Sequence, residues 1–193
     1  MSEPVVRILI LGTGFWAATH ATTFAAIPGC RVVAGVDANG ERVKSFCDTH
    51  GIPRAFDNLD EAIGWGEFDA VSNVTPDAIH HATTMKLIAA GKHVLCEKPV
   101  GVTIEEAETL REAVARSGKV FQVGHMKRFD AGLQSARAFI DNEMGELVAI
   151  KAWYCDSTHR YPMTDAAQPR PAPIAVARMT CRQASLGEGR GHR

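Results

Sequence analysis

Three features of the sequence predict an α/β protein built on a doubly wound parallel-sheet Rossmann domain. Short apolar runs alternate with helix-like segments, a glycine pair closes the first run, and an acidic residue closes the second. The domain is expected over residues 1–124. The beginning of an incomplete α+β substrate domain is expected over 125–164, and an irregular or disordered tail over 165–193.

The elements follow in order. Val5–Leu11 is a continuous apolar run ending in glycine, as a strand buried on both faces requires. Gly14–Ile27 is an alanine-rich helix that stops before Pro28-Gly29, and Arg31–Asp37 is a second strand. Glu41–His50 is a helix closed by Gly51, and Asn58–Trp65 a short one. "FDAVSNV" then predicts a strand, "DAIHHATTMKLIAAG" a helix ending at Gly91, and "KHVLCEKP" another strand. Thr103 caps the next helix, with Glu106 completing a capping box, and that helix ends near Gly118. "KVFQVG" is the last strand of the series. Strands separated by such helices imply parallel pairing through right-handed crossovers. Beyond Gly124, Asp130–Asn142 reads as a helix, and Glu146–Tyr154 alternates like a strand with one wet face. From Asp165 the chain is rich in Arg, Ala, Pro and Gly without periodicity, a composition suited to disorder.

Charge and composition narrow the function. With 21 Lys and Arg against 22 Asp and Glu, the formal net charge is -1, which argues against a dedicated nucleic-acid surface. No apolar run approaches the roughly 20 residues that span a bilayer. The start, Met-Ser-Glu-Pro, is acidic where a signal peptide is basic, so no membrane association and a cytoplasmic location are expected. Five cysteines, at 30, 47, 96, 155 and 181, are odd in number and form no CxxC pair. His80 and His81 are adjacent, so on a helix they point about 100° apart, and no metal site is expected.

The loop Gly12, Thr13, Gly14, Phe15, Trp16 and Ala17 has the G-x-G-x-x-A form directly between a strand and a helix. Gly12 permits the turn, Gly14 lets a pyrophosphate approach the backbone, and Ala17 keeps the helix close to the strand. The anion then meets free N–H groups at the helix N-terminus. Asp37 lies where a carboxylate accepts from the adenosine ribose hydroxyls and repels a 2′-phosphate, favouring NAD over NADP. Arg42 reaches the same region and leaves NADP open. The alternative is an ordinary strand–helix turn with Asp37 as a helix cap. The common register of strand, glycines, helix and acid favours the cofactor.

Ligands of such sheets lie beyond the carboxyl ends of the strands. "NVTPDAIH", "CEKP" and "VGHMKRF" occupy those ends. Thr75-Pro76 is either a turn passing the nicotinamide side or a plain helix start with proline at its first position. Glu97 and Lys98 end a buried strand, and Pro99 forces the chain out of the sheet. A lysine there is suited to holding a substrate oxygen during hydride movement, though it would also suit a solvated strand end.

Together, "GTGFWAATH", with His20 six residues after Gly14, "VTPDAIHH", "AAGKHVLCEKPV" and "VGHMKRFD" resemble the N-terminal half of the Gfo/Idh/MocA oxidoreductases. That family includes glucose–fructose oxidoreductase, inositol dehydrogenase and rhizopine-catabolism proteins. The resemblance runs from about Val5 to Tyr154, and "AGKHVLCEKP" is its most specific part. It implies an NAD(P)-dependent dehydrogenase or reductase acting on a sugar, inositol or related polyol. Lys98 takes the catalytic place beside nicotinamide and substrate, with Glu97 next to it. Thr75, Pro76 and His80 match the cofactor-side turn. Arg128 matches a domain-junction arginine that meets cofactor or substrate, or forms an interface ion pair.

The family's D-x-G-x-H-x-x-D stretch, whose histidine is assigned the proton transfer, is not found in the 193 residues. The abrupt Arg, Ala, Pro and Gly bias after Asp165 leads to the expectation that the chain is a truncated or frame-altered product. A non-catalytic dinucleotide-binding regulator and a folded fragment without turnover remain as alternatives. Strand-like Glu146–Tyr154 would leave an edge and an apolar face uncovered, which predicts self-association or homo-oligomers.

Overall fold

A computed structural model describes residues 5–146, 148, 149 and 151. Six strands form one sheet: β1 (Val6–Leu11), β2 (Cys30–Val36), β3 (Arg54–Phe56), β4 (Ala70–Asn73), β5 (His93–Cys96) and β6 (Phe121–Val123). Their order is β3-β2-β1-β4-β5-β6, and every neighbouring pair is parallel. The helices are α1 (Ala17–Ala26), α2 (Gly40–His50), α3 (Leu59–Trp65), α4 (His80–Ala89), α5 (Ile104–Ser117) and α6 (Ala131–Asn142). This is the Rossmann arrangement. Strand order reverses beside β1, which opens a crevice between the carboxyl ends of β1 and β4.

The apolar run Ile8–Leu11 of β1 is explained by its two faces. Ile8 and Ile10 pack with Ala17, Ala21, Val43 and Phe46 on one side. Leu9 and Leu11 pack with Ala62, Phe68, Leu87 and Val94 on the other. Each fully buried side chain of this kind contributes about 1.5–3 kcal/mol. β1 is thereby fixed rigidly under the loop that follows it.

Local chemistry sets the helix ends. Asn39, Asn58, Thr103 and Asp130 cap α2, α3, α5 and α6 through their side chains. At α5, the Glu106 carboxylate reaches the Val102 N–H at 2.7 Å, one residue before the Thr103 cap.

Three departures from the expected elements have physical causes. β3 has no signature of its own, being three residues long with Arg54 and Ala55 exposed; it exists by pairing with Ala34–Val36. α1 starts at Ala17 and not at Gly14, because Gly14–Trp16 is a turn in which Ala17 N–H donates to the Gly14 carbonyl at 3.1 Å. Asp77–Ile79 is a 3-10 turn leading into α4, which begins at His80.

The described residues from Val5 to Gly145 form one compact unit, and α6 belongs to it. The expected strand Glu146–Tyr154 falls mostly outside the described residues, and the tail 165–193 wholly so. No helix among the described residues is long and apolar enough to cross a membrane.

Candidate cofactor and active site

Gly12 ends β1 with a φ of 88° and donates its N–H to the Val36 carbonyl at 2.8 Å. A Cβ at this position would lie 2.9 Å from Val74 C, Val74 O and Thr75 N. The turns after β1 and β4 therefore touch backbone to backbone, and only glycine fits between them. At Gly14 a Cβ would meet nothing within 4 Å, so this side of the loop is open. Ala17 is fully buried, whereas Phe15 and Trp16 are exposed and stack edge to face at 5.4 Å. The N-terminus of α1 has no side-chain cap and no acidic residue in its first turn. Ala17 N–H is used by the Gly14 carbonyl and His20 N–H by that of Trp16, which leaves the Ala18 and Thr19 N–H groups without a partner among the described residues, available to an anion. The glycine cradle, open loop and uncapped helix fit a dinucleotide pyrophosphate.

Asp37 follows β2 and is nearly buried, its side chain 6% exposed. Its Oδ2 accepts from Thr13 N–H at 2.8 Å, Thr13 Oγ1 at 2.9 Å and Arg42 Nε at 3.0 Å. Its Oδ1 accepts from Asn39 N–H at 2.9 Å and from Arg42 Nη2. Burial pushes this carboxyl's pKa upward, but the hydrogen bonds from Arg42, Asn39 and Thr13 outweigh it and bring the value down to about 2. Asp37 is thus ionised and, unlike the free ribose acceptor expected from sequence, already ion-paired.

The ends of β4 and β5 are tied by buried polar groups. Asn73, fully buried, donates from Nδ2 to Thr83 Oγ1 at 2.8 Å and Thr84 Oγ1 at 3.1 Å. Its Oδ1 accepts from Thr75 Oγ1 at 2.7 Å and Thr75 N–H at 3.3 Å, which fixes the turn. Pro76 is exposed beside it. His80, 1% exposed, places one ring nitrogen 2.7 Å from the Thr75 carbonyl and the other 2.6 Å from the Pro99 carbonyl. A neutral imidazole carries a single N–H donor, so only the imidazolium would donate to both at once. His80 spans the two turns in either case.

Lys98 is exposed and joined to Pro99 by a cis peptide bond. The Glu97 carboxylate is part-buried; its Oε1 lies 3.4 Å from His20 Nε2, and His20 Nδ1 lies 2.8 Å from Ser72 Oγ. The side chains of α1, β4 and β5 thereby meet under the crevice. Arg128 stands apart in the 3-10 turn Met126–Phe129, exposed and without an ion pair among the described residues.

The structure therefore joins Gly12, Thr13, Asp37, Thr75, His80 and the Glu97–Pro99 segment through direct contacts, leaving Phe15 and Trp16 exposed on the loop and Arg128 apart from them. Sequence reasoning missed Ser72 and Asn73 and assigned His20 no role in the site. The available signal was two polar residues inside an otherwise apolar strand, since buried polar groups need partners.

Residues 6–125 match the Gfo/Idh/MocA family, described as an oxidoreductase family with an NAD-binding Rossmann fold. The chain belongs to that family. It is 30% identical to glucose-6-phosphate 3-dehydrogenase of Bacillus subtilis, over 77% of this chain and 42% of that one. It is 31% identical to the scyllo-inositol 2-dehydrogenase (NAD(+)) of the same organism, over 80% and 46%. The structure superposes with a TM-score of 0.66 on scyllo-inositol dehydrogenase from Lactobacillus casei with bound NAD(H) and scyllo-inositol, at 29% identity and covering 71% and 41% of the two chains. The chain thus spans less than half the length of these relatives.

Proposed function

We propose that the chain supplies the cofactor-binding half of an NAD-dependent dehydrogenase that transfers hydride between nicotinamide and a sugar, inositol or related polyol. The observation that carries this reading is the continuity of the crevice: His80 contacts both the Thr75 carbonyl and the Pro99 carbonyl, so the cofactor-side turn and the Lys98 segment are held together.

In this reading the Gly12–Ala17 loop and the N–H groups of α1 hold the pyrophosphate, and Asp37 with Arg42 faces the adenosine ribose. Thr75 and Pro76 line the nicotinamide side. When bound, NAD supplies the hydride acceptor. Lys98 would donate a hydrogen bond to the substrate oxygen and hold the negative charge developing there as hydride moves. Glu97, anchored by His20, keeps a carboxylate next to that lysine. The second candidate is a dinucleotide-binding regulator that holds the cofactor without turnover.

Titration with NADH, followed by its fluorescence, and a screen of inositols and aldoses for reduction of NAD test the proposal. Binding with polyol-dependent NADH formation is expected for the dehydrogenase. Binding without turnover on any polyol leaves the second reading, and absence of binding removes both.

A further inference from the structure

On the reading that the crevice binds a nicotinamide dinucleotide, we propose that His20 is a positioning residue that sets the charge facing the nicotinamide ring. It holds the Glu97 carboxylate there and neutralises it when protonated, so that the preference between NAD and NADH depends on pH.

The strand order places Glu97. The phosphate loop follows β1 and Asp37 follows β2, so the nicotinamide half of the dinucleotide extends toward β4 and β5. Glu97 follows β5, and its N–H donates to the Asn73 carbonyl of β4 at 2.9 Å. Three neighbours seat its carboxylate. His20 Nε2 lies 3.4 Å from Oε1, and the Lys98 N–H donates to Oε2 at 3.3 Å. On the β6 side, a Cβ at Gly124 would lie 2.7 Å from Oε1, so the glycine leaves the space that the carboxylate occupies.

Ser72 keeps the His20 ring in place in either charge state. Its hydroxyl is buried 2.8 Å from Nδ1 and is able both to donate and to accept. Beside the neutral ring, Ser72 donates to Nδ1 while Nε2 carries the proton toward Glu97. In the imidazolium, Nδ1 donates to Ser72 and Nε2 is unchanged. Protonation therefore alters the charge beside Glu97 without moving the ring. The two side chains are 15% and 22% exposed, so salt screens this pair less than a surface one.

No other group around the ring duplicates this role. Among the described residues its hydrogen bonds and ion pairs end at Ser72 and Glu97. α1 has no second titratable side chain, and β1 and β2 carry their charged residues, Arg7 and Arg31, at the opposite ends. In β5, burial pushes the Cys96 thiol up to about 11, so it stays neutral. Lys98 and His125, which follow Glu97 and Gly124, are exposed. The oxidised ring of NAD is cationic and is drawn to an uncompensated Glu97; it loses that attraction once His20 is charged. The reduced ring of NADH is neutral and responds to neither state.

The test measures the Kd of NADH by its fluorescence and that of NAD by displacement of NADH. Both are taken at about pH 5.5 and about pH 8.5, on either side of the usual histidine range. The proteins are the full chain as wild type, His20→Gln and Glu97→Gln, with circular dichroism as a check of folding. In wild type the ratio of the NAD Kd to the NADH Kd is expected to fall by about three- to fivefold as pH rises, the scale of a partly exposed charge pair. His20→Gln keeps a neutral donor for Glu97 and is expected to hold the ratio near the wild-type high-pH value throughout. Glu97→Gln is expected to raise the ratio at the higher pH, which keeps the test informative if the His20 variant fails to fold. His80 and His125 remain in every variant, so a flat His20→Gln profile assigns the dependence to His20. A wild-type ratio unchanged with pH, a His20→Gln profile that follows wild type, or a Glu97→Gln ratio equal to wild type at the higher pH overturns this role while leaving the dinucleotide site intact. Failure of wild type to bind either nucleotide at about 1 mM overturns the cofactor reading and this inference together.

Discussion

Replacing Gly12 and Gly14 by alanine, one at a time, should separate folding from binding within a single loop. At Gly12 the backbone φ is 88°, a conformation that costs an L-residue about 1–2 kcal/mol. The new methyl would also lie 2.9 Å from three backbone atoms of Val74 and Thr75, which cannot rotate away as a side chain would. Relieving such overpacking typically costs about 1–3 kcal/mol. The sum, about 2–5 kcal/mol, is a large fraction of the roughly 5–15 kcal/mol that stabilises a domain. With a urea slope of about 1–3 kcal/mol/M, the unfolding midpoint should fall by on the order of 1–3 M. Trp16 and Trp65 are intrinsic fluorescence reporters for that titration. Gly14→Ala meets nothing within 4 Å, so its midpoint should move by less than about 1 kcal/mol equivalent. Its methyl enters the open side of the loop, and NADH binding should weaken. A Gly12→Ala midpoint equal to wild type, or a Gly14→Ala protein as unstable as Gly12→Ala, would refute this account of the loop.

Three further outcomes are expected. Asp37 and Asp69 both have folded-state values lowered from 3.8 to about 2; for Asp69 the hydrogen bond from Arg7 is the main cause. The unfolded chain therefore takes up these protons first, so their stabilisation is complete above about pH 4 and is lost as pH falls toward 2. Urea midpoints across that range should drop with acid, and Asp69→Asn should make the fall shallower; an unaltered slope counts against the Arg7 pair. Asn73→Ala leaves Thr75 and Thr84 hydroxyls without their buried partner and should cost about 1–3 kcal/mol by urea titration while weakening NADH binding; a loss of stability alone would dissociate Asn73 from the turn it holds. Met126, Phe129, Leu133 and Phe139 are each more than half exposed along the 3-10 turn and α6. Light scattering at increasing concentration should show self-association that Phe129→Ser reduces, and a monodisperse monomer at high concentration argues against it.

Much of the fold was legible because its signals are local. The β1 run, the Gly12–Gly14 spacing, the Thr103 cap and the helix starts at Asn58 and Asp130 are each read within a few residues. β3 was not legible, since three mostly exposed residues become a strand only where β2 offers an edge. Among the proposed site residues, Gly12, Asp37, Thr75 and Lys98 were recognisable as residue types at strand ends. Their connections were not. His20 meets Glu97, and His80 meets Pro99, only once helices and strands have been ordered in space.

The sequence by itself determined that a dinucleotide-type crevice would form, because apolar periodicity, glycine conformational freedom and helix capping act over short stretches of chain. Tertiary structure decided how that crevice is wired. It placed Arg42 on Asp37, filled the buried interior of β4 with the Ser72 and Asn73 networks, and tied the Thr75 turn to the Lys98 segment through His80. The physical reason is that a buried polar group must find a partner wherever packing brings one within reach, and spacing along the chain does not reveal which one that is.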